Sequence, residues 1–277
     1  LFFVFTLLTG TLAAQDIPLR DGWRFKTGDQ AAWASPALPD ADWTPIRVGA
    51  PWETQGFPNY DGFAWYRIHV VIPSSIREKS YLKNDLRIDL GKIDDGDEVY
   101  LNGSLVGSNG GRGGPIESGQ WDLPRSYTLS VKDPRIRWDN ENVIAVRVWD
   151  HGGDGGLYDG HYGISMKDLV DYVRLDYSDN ALRFGPGKTV SKKIILQSTG
   201  SQYNFSGPLK ITIADPISGA VIFKRNLDAK FAKDQPFAYT FKTTLPDSKP
   251  YQIAYIFKET RSGKQVMETE GVPYILT

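Results

Sequence analysis

One segment of this sequence reads Gly91-Lys92-Ile93-Asp94-Asp95-Gly96-Asp97-Glu98-Val99-Tyr100-Leu101-Asn102-Gly103. Val99 and Leu101 alternate along it, as is typical of a half-buried β-strand. The Asn102-Gly103 pair supplies the two positions with φ > 0 that a type I′ turn requires, so the segment predicts a tight hairpin. The same alternation recurs on either side, at Leu86, Ile88 and Leu90 and at Ile144, Val146 and Val148. These patterns predict a first module built from strands, with a short helix at Ser74–Lys79.

A second region repeats the strand pattern toward the end of the chain. Its alternating apolar positions are Leu209, Ile211 and Ile213, then Phe237, Tyr239 and Phe241, then Tyr251, Ile253, Tyr255 and Phe257. Turn-forming pairs such as Asp215-Pro216 and Ser262-Gly263 separate these runs. About seven short strands in roughly 100 residues predict an immunoglobulin-like β-sandwich.

Composition divides the chain into two modules. All eight tryptophans precede residue 150. Acidic residues outnumber basic ones up to Ser178, and basic residues outnumber acidic ones from Asp179 onward. We therefore expect three parts: a signal-peptide remnant over residues 1–15, a first β-domain over residues 16–178 and a second β-domain over residues 179–277.

The first residues indicate export. Leu1 to Ala14 carry no charge and end in small residues before the polar Gln15, which is typical of a signal-peptide hydrophobic region. This run is too short to cross a bilayer, so we expect a secreted or periplasmic protein with no membrane span after cleavage. The chain has no cysteine, which excludes disulfides, and a net charge of −1 argues against nucleic acid as a partner.

Six motifs in the first module follow one another in a recognisable order. They are Asp21-Gly22-Trp23-Arg24-Phe25, Asp40-Ala41-Asp42-Trp43, Pro51-Trp52-Glu53, Tyr60 to Arg67, Gly91 to Gly103, and Asn142 to Val148. Together they resemble the galactose-binding-like jelly roll at the front of family 2 glycoside hydrolases of the β-galactosidase type, which also occurs in bacterial sialate O-acetylesterases. The resemblance implies an all-β protein, with the jelly roll followed by an immunoglobulin-like β-sandwich. In these enzymes a separate (β/α)₈ barrel supplies the chemistry.

Aromatic and polar residues of the first module are candidates for carbohydrate binding. Trp and Tyr offer flat apolar faces to sugar rings, and carboxylates accept hydrogen bonds from sugar hydroxyls. The glycine-rich stretch Asp150–Gly163 is interpreted as a loop that forms a polar cup, with a flexible connector as the alternative. Trp23, Trp43 and Trp65 are expected in the core. The predicted carbohydrate-binding residues are Trp52, Glu53, Tyr60, Asp61, Arg112, Trp149, Asp150, His151, Asp154 and Tyr158.

Signals for catalysis and for metal binding are weak in this sequence. Asp94, Asp95, Asp97 and Glu98 are compatible with Ca²⁺, but we expect these carboxylates to cap turn N–H groups and predict no cofactor. His151 and His161 lack the spacing of a helical metal pair. No facing carboxylate pair and no Gly-x-Ser-x-Gly motif is recognisable, so we predict no catalytic residue.

Three functions are compatible with these features. The first is an exported, non-catalytic carbohydrate-binding or accessory protein whose partners are oligo- or polysaccharides and a glycoside hydrolase catalytic subunit. The second is the N-terminal part of a split or truncated glycoside hydrolase. The third is a structural adhesion module, in which the opposite charges of the two modules serve docking.

Overall fold

A computed structural model describes residues 17–110, 120–177, 187, 189–247 and 249–272. Its contacts divide the chain into two compact units, and the division falls between Lys167 and Asp168. Asp168 belongs to the second unit because its carboxylate caps the 3₁₀ helix Leu169–Tyr172 and pairs with Lys264 Nζ at 2.6 Å. The composition of the sequence places this stretch at the end of the first domain instead. No described helix is long and apolar enough to cross a membrane.

The first unit is a sandwich of two antiparallel sheets. Its strands are β1 (Ile17–Pro18), β2 (Trp23–Thr27), β3 (Thr44–Ile46), β4 (Gly62–Val71), β5 (Asp85–Asp94), β6 (Gly96–Leu101), β7 (Ser104–Asn109), β8 (Pro124–Ser130), β9 (Glu141–Asp150) and β10 (Gly156–Met166). One sheet has the order β1-β10-β5-β8, and the other has the order β3-β2-β4-β9-β6-β7. Short 3₁₀ helices cover Ala31–Ala34, Trp52–Gln55 and Ser74–Lys79.

The core of the first unit lies between these sheets. Inward-facing apolar residues of both sheets, among them Leu86, Ile88, Val99 and Val146, are fully buried and form one cluster. The strand alternation that the sequence predicted is therefore confirmed, because every second residue faces the partner sheet. A smaller cluster on the outer face of the six-stranded sheet consists of Trp33, Ala34, Trp43, Trp65 and Ala145.

The predicted hairpin is confirmed. β6 pairs with β7 across Asn102 and Gly103, whose φ angles are 51° and 85°. The Asn102 side chain also accepts a hydrogen bond from Val143 N at 2.9 Å, which ties the turn to β9. The short helix predicted at Ser74–Lys79 is a 3₁₀ helix with the same bounds.

The second unit is also a β-sandwich. Its strands are β11 (Val173–Tyr177), β12 (Thr189–Ser198), β13 (Phe205–Ala214), β14 (Val221–Phe231), β15 (Phe237–Thr244), β16 (Tyr251–Lys258) and β17 (Gln265–Val272). They form a three-stranded sheet, β11-β12-β15, and a four-stranded sheet, β14-β13-β16-β17. Buried side chains such as Ile194, Leu196, Ile211 and Phe257 fill it. This architecture agrees with the sandwich that the sequence predicted.

Candidate functional site

Two connections cross between the sheets at the same end of the first unit. Asp95 joins β5 to β6, and residues 151–155 join β9 to β10. The strands on either side are paired, since Gly156 lies opposite Asp94 and Gly96 lies opposite Trp149. As a result, Asp94, Asp95 and Asp150 come together although the last is distant in sequence. We call these three residues the acidic corner.

The carboxylates of the acidic corner lie close to one another. Each of the three offers an oxygen within 4.8 Å of the other two. Backbone N–H groups of the following loop hold two of them, because His151 N donates to Asp95 Oδ2 at 3.0 Å and Gly152 N donates to Asp150 Oδ1 at 3.1 Å. Asp150 is fully buried, and its second oxygen, Oδ2, has no hydrogen-bond partner among the described residues.

Burial and mutual repulsion shift the acidity of this corner. Burial raises the pKa of Asp94 to about 7, and a hydrogen bond that protonated Asp94 donates to Asp95 and the negative charges of Asp95 and Asp150 act in the same direction. Burial likewise raises the pKa of Asp150 to about 6, with further contributions from the charges of Asp61, Asp95 and Glu53. The corner therefore strongly disfavours holding all of its negative charge at once.

The loop over residues 151–155 is anchored at its end. Gly155 N donates to Glu53 Oε2 at 2.9 Å, and Trp52 N donates to Gly155 O at 3.1 Å. A Cβ atom on Gly155 would collide with the Trp52 ring and approach Asp150 Oδ2 to 2.9 Å, so this position requires glycine. The other oxygen of Glu53, Oε1, is buried without a hydrogen-bond partner among the described residues.

Asp150 belongs to the acidic corner, and the other predicted binding residues within the described part of the chain fall into three groups. Trp52 is fully buried in the core, and its Nε1 donates to Tyr60 O at 3.1 Å, so its ring offers no face to a ligand. Glu53, Tyr60, Trp149 and Tyr158 are half-buried, and Trp149 packs on a neighbouring phenylalanine ring at 4.4 Å between centroids. The exposed members are Asp61, His151 and Asp154. Arg112 lies outside the described residues.

The stretch interpreted as one loop is different in the structure. Only residues 151–155 form a connection, and Gly156–Met166 is strand β10, paired with β5. Two of its glycines, Gly156 and Gly160, permit close packing. A Cβ atom on Gly160, whose φ is 108°, would lie 3.0 Å from Gly91 Cα of the neighbouring strand.

The acidic run Asp94 to Glu98 also separates into different environments. Asp97 is buried and accepts a hydrogen bond from Arg125 Nε at 2.6 Å, while Glu98 accepts one from Tyr100 Oη at 2.5 Å. The expectation that these carboxylates cap turn N–H groups is therefore wrong for Asp97 and Glu98, because strand alternation carries them away from the turn. Asp95 does accept from a backbone N–H, but that group belongs to the other connection.

An exposed aromatic surface lies beside the acidic corner. Tyr158 Oη donates to the backbone oxygen of Trp121 at 2.8 Å, and the Trp121 side chain is 49% exposed. Lys92 Nζ lies 2.6 Å from Asp122 Oδ1 and 3.5 Å from Asp159 Oδ2. We call Trp121, Tyr158 and these three charged residues the aromatic surface. Sequence reasoning missed Trp121, although its place in a polar, turn-rich segment rather than in an alternating run distinguished it from the core tryptophans.

The chemistry of the two features differs. Raised carboxyl pKa values are typical of general acids. Glycoside hydrolysis needs two carboxyl groups that both reach the substrate bond, and Asp95 and Asp150 are buried. Carboxylate oxygens at this spacing are instead suited to a hard cation. The aromatic surface combines an apolar ring with charged hydrogen-bonding groups, which suits a sugar ring with its hydroxyls.

Comparisons with known proteins agree with this architecture. No protein-family profile matches the chain. Beta-galactosidase BoGH2A of Bacteroides ovatus is 28% identical over 46% of this chain and 14% of its own length. A β-glucuronidase of Bacteroides uniformis matches 93% of the chain with a TM-score of 0.61 at 17% identity, over 32% of its length. A glycosyl hydrolase family 2 member of Bacteroides cellulosilyticus matches 92% with a TM-score of 0.61 at 15% identity, over 36% of its length.

These similarities define the fold. The chain has the fold of the β-domains of family 2 glycoside hydrolases, and the resemblance identified in the sequence is confirmed. The chain spans about a third of the length of these two solved structures and 14% of the length of the Bacteroides ovatus β-galactosidase.

Proposed function

We propose that this protein is an exported, non-catalytic carbohydrate-recognition module that acts together with a family 2 glycoside hydrolase catalytic domain. Export is supported by the apolar, uncharged start of the sequence. The association with a catalytic domain is supported by the fold, which the chain shares with parts of such hydrolases.

The observation that carries the recognition role is the aromatic surface. A tryptophan with half of its side chain exposed is unusual in a chain that buries most of its tryptophans, and it exposes apolar area to water at a cost of about 25 cal/mol per Å². Tyr158 supports the backbone of Trp121, while Lys92 and Asp159 provide hydrogen-bonding groups next to it. A sugar that stacks on the ring would cover its apolar face and engage these groups.

Neutral sugars fit this surface best. The carboxylates of Asp122 and Asp159 both lie against Lys92, so two negative charges face one positive charge on this surface. An anionic sugar such as a uronate would meet repulsion there, whereas hydroxyl groups donate readily to carboxylates. We therefore expect neutral oligosaccharides as ligands.

The test is glycan-array screening of the full chain, followed by titration of any neutral oligosaccharide identified, with tryptophan fluorescence as the readout. Because every tryptophan lies in the first unit, the signal reports on that unit. Trp121→Ala should weaken binding by about 10- to 150-fold, the equivalent of about 1.5–3 kcal/mol for a covered aromatic side chain.

The matched control is Tyr81→Ala, since Tyr81 is another exposed aromatic residue, near the opposite end of β5. Unchanged affinity in Trp121→Ala, or equal losses in both variants, would place the binding site elsewhere. We also expect the purified chain to leave aryl glycosides intact. Turnover that persists through repurification and disappears in a point variant would overturn the non-catalytic part of the proposal.

A further inference from the structure

We propose that the acidic corner is a binding site for a calcium-sized divalent cation. Its three carboxylates come from two separate connections of the fold, and each offers an oxygen within 4.8 Å of the others. This inference does not depend on the sugar-binding role, since the cation needs none of the side chains of the aromatic surface.

A second observation points to a missing ligand. Asp150 has no exposed surface, and its Oδ2 atom has no hydrogen-bond partner among the described residues. A buried carboxylate oxygen without a partner costs several kcal/mol unless a proton, a donor or a cation compensates it. Glu53 Oε1 is a further buried oxygen without a partner in the described part of the chain, and the charge of Glu53 acts on Asp150.

The spacing suits calcium. Calcium binds oxygen ligands at about 2.3–2.6 Å, so two ligands on opposite sides of the ion lie at most about 5 Å apart. Three carboxylate oxygens within 4.8 Å of one another can therefore share one ion. Hard oxygen donors without nitrogen or sulfur also select calcium or magnesium rather than zinc.

The fold holds two of the three ligands, Asp95 and Asp150, in place before any ion binds. Asp95 N donates to Trp149 O at 2.8 Å, which fixes one connection against the other. Gly152 N and His151 N orient Asp150 and Asp95 by donating to one carboxylate oxygen of each. An ion here would tie the β5–β6 connection to the β9–β10 connection and so join the two sheets at one end.

The experiment uses the full chain after treatment with EDTA, with terbium and calcium as probes. Terbium emission excited through tryptophan should appear in the wild type, because Trp149 adjoins Asp150 and the Trp52 ring packs on the same loop. Calcium should displace the terbium. At a free calcium concentration 100 times its Kd, the ratio of folded to unfolded protein should rise about 100-fold, which is read as an increase in melting temperature.

Asp150→Asn is the diagnostic variant because it keeps the shape of the side chain and removes its charge. It should lose both the terbium emission and the calcium response, and without calcium it should melt no lower than the wild type, because repulsion within the corner is relieved. Asp42→Asn, at an exposed aspartate of the same unit, should behave like the wild type. If Asp150→Asn does not fold, Asp94→Asn replaces it, since Asp94 is only half-buried.

Two outcomes would overturn the proposal. One is a wild type whose melting temperature and terbium emission do not respond to either ion at neutral pH. The other is a calcium response that survives intact in both folded variants, which would place the ion elsewhere.

Discussion

Arg125 is the side chain whose loss should damage the first unit most. It is 1% exposed, its Nε donates to the fully buried Asp97 at 2.6 Å, and its Nη2 donates to Ile93 O at 2.7 Å and Asp95 O at 2.8 Å. Arg125→Met fills a similar volume but leaves a buried carboxylate without its cation. Breaking a buried ion pair in this way costs about 3–5 kcal/mol. We therefore expect the free energy of unfolding to fall by about this amount.

Urea denaturation followed by tryptophan fluorescence measures this loss in the first unit, where all tryptophans lie. The double variant Arg125→Met/Asp97→Asn should recover part of the loss, because the orphaned charge is removed as well. The deficit of the single variant should also shrink as the pH falls. Burial already raises the pKa of Asp97, the loss of Arg125 raises it further, and protonated Asp97 needs no cation. A loss below about 1 kcal/mol, or additive effects in the double variant, would refute this reasoning.

Two further predictions concern other parts of the first unit. His69 lies 3.1 Å from carboxylate oxygens of both Asp40 and Glu141, and although burial opposes its protonation, these groups raise its pKa. The stabilising contribution of His69 is complete below the unfolded pKa of about 6.5 and is lost as the pH rises through the folded pKa. In urea titrations, the difference in free energy of unfolding between wild type and His69→Gln should therefore decrease from about pH 6 to pH 9. Gly103→Ala should lower the free energy of unfolding by about 1–2 kcal/mol, because Gly103 has φ 85°; an unchanged urea midpoint would contradict this.

The sequence predicted those parts of the fold that depend on local patterns. The hairpin at Asn102-Gly103 depends on two adjacent residues that tolerate positive φ, and the strands depend on alternation over a few positions. Such signals need no knowledge of distant contacts. The ion pair of Asp168 with Lys264 ties this stretch to the second unit, and no local pattern reveals it because the two residues are far apart in sequence.

The site was harder to predict because its residues are close in space and not in sequence. Asp94 to Glu98 look like one acidic cluster, yet strand alternation sends Asp97 to Arg125, and the cluster gains Asp150 from another connection. Glycine content was misleading for a similar reason. In β10, Gly160 lies at an irregularity of the pairing with β5 and permits the close approach of Gly91, so most of this glycine-rich segment is strand and not loop.

The three carboxylates of the acidic corner come together because two connections between the sheets lie at one end of the first unit. Along the strands, inward-facing residues are fixed by pairing and by the core, so a polar substitution at those positions disrupts burial. At the two connections the backbone leaves one sheet for the other, and side chains such as Asp95 and Asp150 can turn toward each other without breaking a ladder. Residues 151–154 are exposed and less constrained, whereas Gly155 must remain glycine because the Trp52 ring occupies the space of a Cβ atom.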